Sequence, residues 1–70
     1  LIRPPKEELE VIHYLARRGD ILGIRDQITK IEALDPKFVP FANKFSQLAQ
    51  DFEINKMLEC LEAYLKEDRS

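Results

Sequence analysis

Two side chains in this 70-residue chain are of types that commonly do chemistry on their own, His13 and Cys60, and each is the single example of its kind. An imidazole can carry a proton, bind a metal or accept a phosphoryl group near neutral pH, and a thiolate is a nucleophile. One cysteine forms no intrachain disulfide, and one cysteine plus one histidine fall short of the four ligands of a closed zinc site. Cys60 has no neighbouring base and no helix N-terminus to stabilise a thiolate, so it reads as a small hydrophobe flanking a core stripe. The carboxylate pairs Glu7-Glu8, Glu59 with Glu62, and Glu67-Asp68 read as solvated helix surface. Gly19 and Gly23 do not form a phosphate-cradling loop. No catalytic, cofactor-binding or metal-ligating residue is assigned, no cofactor is expected, and the fragment is expected not to be an enzyme. His13 remains as the one obvious candidate for chemistry, with a boundary histidine that packs its ring beside Leu9 and Ala16 as the plainer reading.

The elements that must position these residues are all helical. A domain this short buries only about 60% of the surface its unfolded chain exposes, and with neither disulfide nor zinc it depends on helix packing. A composition of 44% hydrophobic and 34% charged residues is a globular mixture. Residues 1–4 read as an extended linker, because each proline disfavours helix at the residue before it. A first helix over about 5–18 carries Leu9, Ile12, Leu15 and Ala16 on one face, with Val11 at its margin. Gly19 stops it and Asp20 caps the next. The second helix, about 21–34, has a stripe of Ile21, Ile24, Ile28 and Ile31. Asp35-Pro36 breaks it. The stretch from Pro36 to Pro40 allows either a short turn capped by Asp35, with Pro40 opening the third helix, or one helix taking Pro40 in its first turn. The third helix, about 38–51, presents Phe38, Phe41, Ala42, Phe45, Leu48, Ala49 and Phe52. The fourth, about 53–66, turns Ile54, Met57, Leu58, Leu61, Tyr64 and Leu65 inward. The helical domain thus covers 5–67, and 68–70 is expected to fray.

An offset of 33 residues pairs Leu9 with Ala42, Ile12 with Phe45, Leu15 with Leu48 and Ala16 with Ala49. The same offset pairs the stripe of the second helix with that of the fourth, and Asp20 with Glu53. That period is close to the helical-hairpin repeat of the tetratricopeptide unit, whose signature identities are missing here. The expectation is an all-α fold, a compact four-helix array of two stacked αα-hairpins.

A net charge of −2 and a pI near 5.3, with basic and acidic residues interleaved, argue against nucleic-acid binding. No apolar run approaches the ~20 residues of a membrane span, so no membrane insertion is expected. The absence of a secretory signal and a lone unpaired thiol fit a cytoplasmic setting. The start at Leu1 is what a fragment of a longer protein would show. Tyr14, Leu22 and Val39 point away from the apolar stripes and are the candidate docking surface.

A histidine on a four-helix domain is similar to the histidine phosphotransfer family, which places Lys-Gly after its histidine as H-x-x-K-G. Ala16 and Arg17 stand at the corresponding positions and the glycine comes later, at Gly19, so the likeness is to a degenerate member, and it implies His13 as the candidate phosphoacceptor. A broader resemblance runs through Pro4-Pro5-Lys6-Glu7-Glu8-Leu9, Leu15-Ala16-Arg17-Arg18-Gly19-Asp20-Ile21, Ile31-Glu32-Ala33-Leu34-Asp35-Pro36-Lys37-Phe38-Val39-Pro40-Phe41-Ala42, Leu48-Ala49-Gln50-Asp51-Phe52 and Ala63-Tyr64-Leu65. In that order they resemble the C-terminal helical extension of bacterial, notably cyanobacterial, hybrid sensor histidine kinases and related response regulators. The resemblance implies a non-catalytic interaction or spacer module of a two-component signal-transduction protein, whose parent would be an ATP-dependent protein histidine kinase within a phosphorelay. It implies protein partners: receiver or kinase domains of the parent, or another signalling protein. A homodimer is also compatible with it. A peptide-binding helical-hairpin scaffold is a third class.

Overall fold

The computed structural model describes residues 2–67, and within them every regular element is helical. In chain order these are α1 Lys6–Arg17, α2 Ile21–Leu34, a 3₁₀ turn Pro36–Phe38, α3 Val39–Gln50 and α4 Ile54–Glu67. Each lies within a residue or two of the expected boundaries, and Pro5 and Arg18 serve as the caps of α1. The first option for the Pro36 to Pro40 stretch is the observed one. The Asp35 carboxylate accepts from the Lys37 N–H at 2.9 Å, the 3₁₀ turn follows, and Pro40 sits in the first turn of α3, where an N–H is dispensable. Phe38 therefore belongs to the turn and not to α3. The expected fraying of 68–70 lies outside the described residues, as does Leu1.

The short connections make successive helices antiparallel neighbours. α1 packs on α2 and α4, α3 packs on α2 and α4, and the diagonal pairs α1/α3 and α2/α4 do not approach each other. The two hairpins thus stack and close into a ring, where successive hairpins of a solenoid would remain an open row. Leu9, Ile12 and Ala16 from α1, Ile24, Ile28 and Ile31 from α2, Phe41, Ala42, Phe45 and Ala49 from α3, and Met57 and Leu61 from α4 fill the interior, with Phe38 beneath. Phe41 and Phe45 stack with ring centroids 4.4 Å apart. No buried side chain is polar or charged among the described residues.

The 33-residue offset seen in the sequence is a structural repeat. It carries α1 onto the bounds of α3 and α2 onto those of α4. Both hairpin turns close the same way. Gly19 N–H bonds the Ala16 carbonyl and Asp20 N–H the Leu15 carbonyl, each at 3.0 Å. Phe52 N–H bonds the Ala49 carbonyl at 3.1 Å and Glu53 N–H the Leu48 carbonyl at 2.8 Å. This is the Schellman stop, which needs a left-handed residue after the helix cap. Gly19 supplies it at φ 69°, and Phe52 at φ 57°. Exchanging the hairpins exchanges the α2·α3 packing with the α4·α1 packing, so the ring has approximate twofold symmetry.

Phe52 corrects the sequence reading. It was expected on the inward face of the third helix and is 73% exposed, because the left-handed backbone swings its side chain off the helical wheel. Val39 also departs from expectation. It is half-buried at the start of α3, where the docking reading took it to point outward.

Candidate functional site

His13 sits on the outer flank of the α1–α4 contact. Along α1, Lys6, Glu10 and His13 share one side at successive turns, and α4 presents Glu62, Leu65 and Lys66 opposite. Together they line an open cleft of about 380 Å³. His13 Nε2 lies 3.2 Å from Glu62 Oε2, and the imidazole is only 21% exposed. A proton on Nε2 is donated to that carboxylate, which fixes the ring's orientation. A phosphoryl group arriving at Nε2 has to displace Glu62. Lys6 and Lys66 line the same cleft and would offset its charge.

Sequence reasoning placed His13 at the core margin, where it is. It did not find Glu62 as partner, nor the lysines. No local spacing connects residues 13 and 62, which only the closure of α1 on α4 brings together. Beyond this pair, the described residues contain no group of three or more His, Cys, Asp or Glu side chains arranged to hold a metal ion.

A second polar cluster surrounds the half-buried Tyr64 on α4. The Arg3 guanidinium lies 4.7 Å from its ring centre and pairs with Glu67, while Lys44 Nζ from α3 donates to the Tyr64 hydroxyl at 3.3 Å. The hydrogen bond to that hydroxyl, outweighing an opposing effect of partial burial, holds the Lys44 ammonium above the ordinary lysine range. Tyr64 also meets Phe45, with centroids 6.4 Å apart. Cys60 is half-buried against the core, as a small hydrophobe would be.

The candidate docking residues lie on three different helices. Tyr14 is 58% exposed on α1, where its hydroxyl accepts from Arg18 Nη1 at 3.0 Å and its ring lies under the same guanidinium. Leu22, in the first turn of α2, is 78% exposed. Val39 begins α3, at the opposite end of the array from Leu22. Phe52, which sequence reasoning buried, joins Leu22 as one of the most exposed large apolar side chains. Its signal was available: it stands 33 residues after the glycine of the first turn. No helix among the described residues is long and apolar enough to cross a membrane.

Comparison with family models, curated proteins and solved structures returns no match to this chain.

Proposed function

We propose that this chain is a non-catalytic helical interaction module of a two-component signal-transduction protein, working in the cytoplasm and docking on receiver or kinase domains. The closed ring carries this reading. Its apolar faces are consumed in one interior, so a partner must bind the outer surface, where Tyr14 and Leu22 offer apolar area. The same closure weighs against a scaffold that holds a peptide in a groove between hairpins. The ordered run of phrases from Pro4-Pro5 to Ala63-Tyr64-Leu65 supplies the signalling context. The test is titration of the 70-residue chain against isolated receiver and catalytic domains of a hybrid sensor kinase. Saturable binding weakened roughly tenfold or more by Tyr14→Asp, which is about 1.4 kcal/mol, supports the reading. Absence of binding to every such domain overturns it.

The second reading, a degenerate phosphotransfer domain, has one observation in its favour: His13 opens onto a cleft that lysines line. Against it stands the Glu62 carboxylate at Nε2. Incubation with a phosphorylated receiver decides between them. Acid-labile label on the wild type and not on His13→Gln would replace the first reading with the second.

A further inference from the structure

Both hairpin turns lie at one end of the ring, because α1 and α3 run toward it and α2 and α4 start from it. That end carries Leu22 in one hairpin and Phe52 in the other, 78% and 73% exposed. The twofold repeat gives the two corners the same backbone, and the sequence gives them opposite charge. Residues 17–25 hold Arg17, Arg18 and Arg25 against Asp20, a net of +2. Their equivalents, 50–58, hold Asp51 and Glu53 against Lys56, a net of −1. The carboxylates of both corners are engaged locally: Asp20 accepts the Gly23 N–H at 2.9 Å, Asp51 accepts from Gln47 Nε2 at 3.0 Å, and Glu53 pairs with Lys56 at 3.4 Å.

We infer that this end face is a self-association surface whose occupant is a second copy of the chain, related by a twofold axis lying in the face. Such an axis sets the basic Leu22 corner of each copy on the acidic Phe52 corner of the other, twice over. This is the isologous arrangement in which residue i meets j and j meets i. Apolar tips then meet apolar tips, and guanidiniums meet carboxylates at the rim. The strained backbone at Phe52 supports the assignment. The turn needs a left-handed residue, which glycine would supply without strain, and a phenyl ring left 73% exposed there has a use when a partner covers it. An end face bounded by the 27 × 25 × 17 Å molecule is small, which puts the dimer in the weak class below about 1,200 Å² of total buried area. The inference rests on this face alone and is independent of the signalling reading, which fails or stands by its own titration.

Sedimentation equilibrium across micromolar to millimolar concentrations tests it, with the whole chain. The wild type is expected to dimerise at the upper end. Leu22→Asp and Phe52→Gly, both at exposed positions, should each weaken the dimer roughly tenfold or more, about 1.4 kcal/mol, with helicity unchanged by circular dichroism. A charge exchange separates this interface from any other. Arg17→Glu/Arg18→Glu makes both corners acidic, and Gln50→Arg/Asp51→Arg makes both basic. Each variant alone should be monomeric, and an equimolar mixture should restore a dimer. A wild type that stays monomeric at millimolar concentration overturns the inference, as does a dimer indifferent to Leu22→Asp and to the charge exchange.

Discussion

Phe52 and Gly19 perform the same task at equivalent positions, and the physical cost differs. For an L-residue with a Cβ, left-handed backbone costs about 1–2 kcal/mol, and glycine escapes that cost at the expense of about 0.5–1 kcal/mol of chain entropy. Phe52→Gly is therefore expected to raise monomer stability by about 0.5–1 kcal/mol, read by urea denaturation at micromolar concentration. A loss of stability would show that the Phe52 ring packs on the monomer after all. No such relief exists at Gly19, where φ 69° already suits the residue and any Cβ would be strained. Tyr64 illustrates the reverse economy: one half-buried ring receives Arg3, Lys44 and Phe45 and so links the N-terminal segment, α3 and α4.

At the scale of the element, the N-terminus of α2 sets a cap against a propensity. Asp20 accepts the Gly23 N–H, and a Cβ added at Gly23 would stand 2.5 Å from Asp20 Oδ2. Asp20→Ala should cost about 1 kcal/mol through the lost cap. Gly23→Ala gains about 1 kcal/mol of helix propensity and displaces the carboxylate, so in the wild type the two effects nearly cancel. In the Asp20→Ala background the same substitution should stabilise by about 1 kcal/mol, a coupling that a double-mutant cycle measures. Additive single effects would mean that the cap moves aside without loss. α1 is tied to α2 across this hairpin by Gln27 donating to Glu8, and to α4 by the His13–Glu62 contact.

Across the whole molecule, stability comes from closure. Each hairpin shows one apolar face, and neither can cover that face alone. The α1·α4 and α2·α3 contacts, which join the two hairpins, are the most extensive in the fold. Peptides 1–34 and 35–70 are accordingly expected to be largely unstructured as monomers. Mixed at equal concentration, they should recover helical circular dichroism and a cooperative melt. A cooperative melt from either monomeric peptide alone would show that the ring is a docking of two finished units.

Sequence alone determined the helices, most of their inward faces and the hairpin pairing. These follow from local rules: 3.6-residue periodicity, the Gly19-Asp20 and Asp35-Pro36 breaks, and the echo at 33 residues. It placed His13 at a core boundary for the same reason. The tertiary structure alone decided what lies opposite that histidine, because α1 and α4 are joined by no local connection and their register is set by how the core side chains interlock. It also decided the fate of Phe52. A helical wheel presumes helical backbone, and at Phe52 the chain has already turned left-handed to close the Schellman bonds, so a residue in phase with the core points into solvent.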